Sequence, residues 1–293
     1  MNIRTWGTAL CIGAAMSSGA IAQGYSDEDL AWAMEFAMHD AMFTMYHETG
    51  HMLIGELNLP VLGKEEDAAD ALAAIMMLAP NDDEIERHNA LIDAADGWYF
   101  QAVNSTGEGI ESLSYYSDHS LDIQRAYAMV CMMVGNDPES FAETADAYEM
   151  DADRQEGCAY TYAQAEESWT RVLEEHAVVD EPGVAIEVIY EDAGDYQEFA
   201  DELMSRQLLE NTADLVMGRY VLPGPVVFRA MQCGEANAYY YPGESEVVYC
   251  YELAEYMRDL YLTDILGAYG DEYVEEEEAE EAPTRSGNRF TPS

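Results

Sequence analysis

Lysine is almost missing from this chain. Lys64 is the only one, and with the arginines it makes 12 basic residues against 59 acidic ones, a net charge of −47. A surface this acidic repels phosphate backbones and anionic headgroups, which excludes nucleic acids and acidic membranes as partners. It also opposes self-association at low salt, without specifying an oligomeric state. Past the N-terminal segment no apolar run approaches 18 residues, so no membrane span is expected. No C-x-x-C occurs, which argues against thiol–disulfide exchange and against a structural zinc ribbon. Neither a G-x-S-x-G turn nor a glycine-rich phosphate loop is present, so serine-hydrolase and nucleotide chemistry lack an anchor.

What is there begins with an export signal. Met1 to Arg4 is a short basic start, Thr8 to Met16 is apolar and small, and Ala20-Ile21-Ala22 precedes Gln23. Cleavage near Ala22 predicts a periplasmic or secreted protein. The mature chain keeps Cys131, Cys158, Cys233 and Cys250, and an even number of cysteines in an exported protein favours disulfides. Three pairings are open to four cysteines. Cys131–Cys158 and Cys233–Cys250 are expected, because each closes a short local loop.

The periodicity predicts an α+β, mostly helical fold. Ser26 with Asp29 three residues on reads as a capped helix start, and a helical pattern runs from 30 to about 57. After a break at 58–63 a second helix covers about 64–78, and further helices are expected over 82–103, 119–134, 138–148 and 152–176. The texture changes after Glu181-Pro182-Gly183. Strands are expected over 184–190, 225–231 and 246–251, with helices over 195–218 and 252–267, a β-α-β-β-α unit. The chain thus divides into a signal peptide (1–22), a helical region (23–180), the β-α-β-β-α unit (181–270) and an acidic tail (271–293) expected to be disordered.

The chemistry concentrates in the stretch YHETGHMLIGELNLPVLGKEEDAAD, residues 46–70. His47-Glu48-Thr49-Gly50-His51 is H-E-x-x-H within a helix. Its i, i+4 histidines share a face where two imidazoles can hold one tetrahedral ion, with Glu48 placed as general base. A catalytic zinc takes three protein ligands and leaves one position open. Ile54 and Leu57 stand where the extended metzincin motif would need glycine and a third histidine. The missing ligand therefore comes from the next helix, where Glu66 and Asp70 form E-x-x-x-D. Glu66 is the expected ligand with Glu65 as the weaker alternative, and Asp70 suits the outer N–H of a ligand histidine. His39, two turns before His47, is expected to be an ordinary core or surface residue.

On these residues the chain resembles the gluzincin peptidases, whose pattern is HExxH followed by ExxxD on the next helix. Over nearly its whole mature length it resembles an exported bacterial family of unknown function described as zinc metallopeptidases. The stretches YHETGHMLIGELNLPVLGKEEDAAD, SDHSLDIQRAY and CGEANAYYYPGESEVVYCYEL carry that resemblance. It implies a zincin-like core, a Zn2+ cofactor and a peptide or protein substrate. Gluzincins place an edge strand over the zinc cleft, and Asn237-Ala238-Tyr239-Tyr240 resembles the segment that pairs with substrate backbone. Here that segment follows the HExxH helix instead of preceding it, so the implied fold is circularly permuted. A plain disulfide-closed hairpin accounts for the same residues equally well. His119 resembles the zincin histidine that steadies the oxyanion, a role a tyrosine from 239–241 could also fill. Ser120 or Asp118 is expected to cap the helix after it, and Arg125 to pair with Asp122 or Asp118.

Two functions fit this pattern. One is a zinc peptidase with His47, His51 and Glu66 as ligands and Glu48 as base. The other is a non-catalytic exported metal-binding or interaction module on the same scaffold.

Overall fold

The computed structural model describes residues 24–80, 83–106, 117–179 and 184–268. The expected signal segment, the boundary at 181–183 and the acidic tail lie outside them. Among the described residues the protein is mostly helical with one small mixed sheet, the α+β class expected.

Helix α1 (Asp27–Glu56) starts at Ser26, whose hydroxyl accepts the Asp29 N–H while the Asp29 carboxylate takes the Ser26 N–H in return. Between Phe36 and Ile54 nearly every α1 residue is buried. The cause is its central place: α2 (Glu65–Leu78) and α3 (Glu84–Thr106) pack on it, and so do elements of the C-terminal half. A helix enclosed on all sides has no solvent face on which to leave polar residues, so those it carries must find partners inside.

Gly50 sets how closely α1 and α2 approach. A Cβ there would stand 3.1 Å from the Ala69 Cα and 3.3 Å from the Ala69 carbonyl oxygen. Small residue against small residue lets the H-E-x-x-H turn lie almost on the α2 backbone. Helices α4 (Asp122–Asn136), α5 (Ala142–Ala147) and α6 (Ala152–Leu173) complete this half, and the Cys131–Cys158 disulfide joins α4 to α6.

The sheet has the order β1-β2-β4-β3. Strands β1 (Ile186–Tyr190), β2 (Val226–Met231) and β4 (Glu246–Cys250) run parallel, and β3 (Ala238–Tyr241) lies antiparallel to β4 at the edge. The Cys233–Cys250 disulfide ties the segment leaving β2 to the end of β4. Both disulfides match the expected pairing.

The unit departs from the expected β-α-β-β-α order in two places. The helix expected over 195–218 is two helices, α7 (Gln197–Ser205) and α8 (Leu208–Arg219), because Gln207 takes a left-handed conformation (φ 53°) between them. Strand β3 is a further strand that this order did not count, at the sheet edge where the edge-strand hairpin was expected. Helix α9 (Tyr251–Leu260) closes the fold, passing into a π-helical turn over Tyr261–Ile265. One hydrophobic core runs from Ala33 through the sheet to Ile265. No helix among the described residues is long and apolar enough to cross a membrane.

Candidate metal centre

Three side chains converge where α1 crosses α2. His47 Nε2 and His51 Nε2 are 3.2 Å apart, and the Glu66 Oε2 lies 3.3 Å from each. The i, i+4 spacing brings the rings side by side, edge to face with centroids 4.8 Å apart. Glu66, in the first turn of α2, reaches them because Gly50 lets the helices close. These three residues form a group able to hold a metal ion. A tetrahedral ion with bonds of 2.0–2.1 Å needs ligand atoms about 3.3–3.4 Å apart. The three observed edges meet that requirement, and the donor set of two imidazoles and one carboxylate suits zinc.

Each ring is also held from behind. His47 Nδ1 lies 2.8 Å from Asp70 Oδ1, off the best hydrogen-bond line but with no other acceptor among the described residues. His51 Nδ1 lies 2.9 Å from Glu65 Oε1. Outer carboxylates of this kind fix the tautomer and turn Nε2 toward the metal position. Asp70 is itself clamped by Arg125, whose Nε and Nη2 donate to the two carboxylate oxygens at 2.8 and 2.7 Å. The Arg125 guanidinium stacks on Trp98 at 3.6 Å. Its expected partners, Asp122 and Asp118, are not the ones it takes; packing of α4 on α2 brings Asp70 nearer than its sequence neighbours.

The charges follow from this arrangement. Burial disfavours the His47 imidazolium, but Asp70 and Glu66 outweigh it and raise the ring to about 9. His51 is raised in the same way, Glu66 acting against burial. Burial also opposes ionisation of Glu66, yet the His119, His47 and His51 rings hold it far below the usual carboxylate range. Asp70, against its own burial, is held at about 2 by His47 and Arg125. Glu48 is buried beside the site and shifts the other way, pushed up chiefly by desolvation. A carboxyl that holds its proton more tightly than usual beside a candidate metal position is of the kind that can take and return a proton.

His119 stands on the open side, half exposed, with Nε2 3.0 Å from Glu66 Oε2. Lys64 fastens its loop by donating to the carbonyls of His119 (2.8 Å) and Ser117 (3.3 Å). The expected cap is not used: α4 begins at Asp122, and the Gln124 side chain accepts the Leu121 N–H, so Ser120 and Asp118 do not cap it. Beside the metal position opens a cleft of about 630 Å³, lined by His47, Glu48, His119, Asn237 and Ala238 among others. The edge strand therefore starts at the cleft wall. Asn237 Oδ1 accepts the Ala238 N–H at 3.0 Å. Tyr239 is not among the lining residues; its hydroxyl donates to Glu235, and that of Tyr240 donates to Glu56 of α1. His39 is a core residue at 1 % exposure, bonded to Asp93 at 2.5 Å.

Glu65 and Lys64 are the residues whose positions sequence reasoning does not foresee. Glu65, the alternative ligand, sits instead behind His51. Lys64 has a signal, its uniqueness in the chain, but nothing local aims it at a loop more than fifty residues away.

A helix bearing H-E-x-x-H, whose imidazoles meet a carboxylate from the next helix, is an arrangement of metallopeptidase type. The chain belongs to a family described as "Putative metallopeptidase", which it matches over residues 8–173 and 190–283. No curated protein and no solved structure matches it.

Proposed function

We propose that this protein is a zinc-dependent peptidase that hydrolyses peptide bonds in the cleft beside α1. The observation that carries the reading is the triangle of His47, His51 and Glu66, with edges of 3.2, 3.3 and 3.3 Å. It is supported by Glu48, a buried and proton-tunable carboxyl lining the same cleft. Two disulfides agree with an exported protein in an oxidising compartment.

In this reading His47, His51 and Glu66 hold the ion, with Asp70 and Glu65 steadying the two rings. When bound, zinc supplies Lewis acidity toward water and toward a carbonyl oxygen. Glu48 removes the proton from the attacking water and returns it to the departing amine. His119, on the open side, donates to the oxygen that gains charge. Asn237 and Ala238, at the free sheet edge, hold the substrate backbone as an added strand. The sheet thus serves the H-E-x-x-H helix from later in the chain, the relation a permuted zincin core requires.

Glu48→Gln tests the mechanism. The variant should retain stoichiometric zinc and lose peptide hydrolysis by at least 10²-fold. Undiminished cleavage would remove Glu48 from its role; zinc binding without cleavage of any peptide by wild type would favour the non-catalytic module.

A further inference from the structure

The far wall of the cleft holds a carboxylate that the mechanism does not use. Asp40 lies on α1, lines the cavity and is 5 % exposed. Its one described hydrogen bond is a long contact of 3.5 Å from Thr44 Oγ1, and no described lysine, arginine or histidine stands within ion-pair distance of it. Arg125, which lines the same cavity, is committed to Asp70. Asp122, on the same lining, makes no described ion pair either. Buried carboxylates are normally paired or bonded, whereas Asp40 has only the long Thr44 contact and the more distant charge of Arg125. Desolvation pushes Asp40 up to about 7, as expected of such a group. The walls between are aromatic and apolar, with Phe43, Tyr99 and Tyr256. A flexible basic side chain can lay its hydrocarbon stem on such walls while its charged end reaches an acid.

We infer that this part of the cleft is a specificity pocket for a lysine or arginine side chain flanking the scissile bond, with Asp40 and Asp122 as its acidic end. The inference rests on the peptidase reading and adds the substrate class. Distance agrees. Seven residues separate Asp40 from His47, about 10.5 Å along the helix at 1.5 Å per residue and close to two full turns, so both face the same cleft. A lysine or arginine side chain extends about 6–7 Å from Cα to its charge on standard bond lengths, which spans most of that gap from a backbone held at the metal. A net charge of −47 draws basic peptides toward the protein and repels acidic ones.

The test uses matched peptides differing only in lysine, arginine, norleucine or glutamate at the positions flanking the cleaved bond, assayed with the zinc-loaded protein. Lysine and arginine peptides should exceed norleucine in kcat/KM by tenfold or more, with glutamate poorest. Asp40→Asn should bring lysine and norleucine within about threefold of one another while norleucine cleavage persists. Asp122→Asn should narrow the preference in the same direction. Equal cleavage of lysine and norleucine peptides by wild type would overturn the pocket assignment, as would an unchanged preference in both variants. If no peptide is cleaved, binding of the same peptides to the zinc-loaded protein decides. Tighter binding of lysine than norleucine, lost in Asp40→Asn, upholds the pocket while the hydrolase reading falls; equal binding overturns the pocket.

Discussion

Asp70 does two jobs at once, and they can be separated. It receives two hydrogen bonds from Arg125, at 2.8 and 2.7 Å, and it stands 2.8 Å behind the His47 ring. Both partners are buried, Asp70 at 8 % and Arg125 at 4 % exposure. Removing one member of such a pair leaves an uncompensated interior charge and costs about 3–5 kcal/mol. Asp70→Asn and Arg125→Met should each lose stability of that order. The double variant removes both charges, and replacing a whole buried pair is often close to neutral. It should therefore recover part of the loss, short of the Asp70 contact to His47 and of the stacking of Arg125 on Trp98, the latter worth about 1–2 kcal/mol when desolvated. Zinc affinity should divide differently. Asp70→Asn and the double variant should both bind about 10–100-fold more weakly, as when the outer partner of a ligand histidine is lost. Arg125→Met keeps Asp70 and should lose less. Urea unfolding of the metal-free proteins reads the first quantity, and competition with a chromophoric chelator reads the second. If the double variant is as unstable as the two single losses added, the pair is not coupled. If Asp70→Asn binds zinc like wild type, Asp70 does not orient His47.

Three further outcomes follow from the same geometry. Asp40 is raised from 3.8 to about 7 by burial, so its ionisation costs the folded state about 4 kcal/mol at 1.36 kcal/mol per unit. An acid raised above its unfolded value loses stability as pH climbs between the two; Asp40→Asn should thus gain on wild type from pH 4 to 7 in urea unfolding, and a constant difference would refute this. Gly50→Ala forces a Cβ to 3.1 Å from the Ala69 Cα, but gains about 1 kcal/mol of helix propensity; zinc affinity should fall several-fold with little change in unfolding midpoint. Lys64→Met should free the His119 loop and lower kcat with zinc affinity unchanged, since its two hydrogen bonds go to that loop and not to the ligands.

Whatever local spacing determines in this site is legible in the sequence alone. The four-residue interval of His47 and His51 is a property of one helix, and so is the capped start at Ser26. Glu66 and Asp70 stand out because their four-residue interval puts both carboxylates on one face of α2. What the sequence hides is whatever depends on helix crossing. Arg125 has two acids within seven residues on its N-terminal side and ignores both, since α4 packs against α2 and delivers Asp70 from 55 positions away. Glu65 differs from Glu66 by one step around the helix, about 100°, and only the α1–α2 contact says which carboxylate faces the Nε2 atoms. Asp40 gives no signal, because an acid on α1 looks like any of the 59 acidic residues until burial singles it out. The break at Gln207 is equally silent, a non-glycine in the left-handed region being a choice imposed by packing.

On the proposed function, metal binding at this centre exchanges protons for an ion, and the charges around it bear on how the interior tolerates both states. Without metal, His47 is raised to about 9 and so carries its proton at neutral pH, and His51 is raised as well. The protonated His47 and Arg125 face Glu66 and Asp70, two charges against two. A proton on the ligating nitrogen must leave before that nitrogen can bind. Each imidazole proton released offsets one charge of the incoming divalent cation, which limits the net charge newly buried. The sign for folding follows: the raised His47 imidazole stabilises the metal-free protein fully below about pH 6.5, and that contribution is lost as pH rises through about 9. Zinc binding runs the opposite way. Its logarithmic affinity should rise with pH by roughly one per unit for each imidazole still protonated, and go on rising until His47 is neutral above about 9. Glu48→Gln isolates the imidazoles, because the Glu48 carboxyl, itself pushed up by burial, no longer titrates. Chelator competition from pH 6 to 9.5 on that variant measures the slope, and proton release into a weakly buffered indicator at pH 7 counts the protons directly. A flat affinity between pH 6 and 8 would mean the rings are already neutral, and that Asp70 and Glu66 do not hold protons on them.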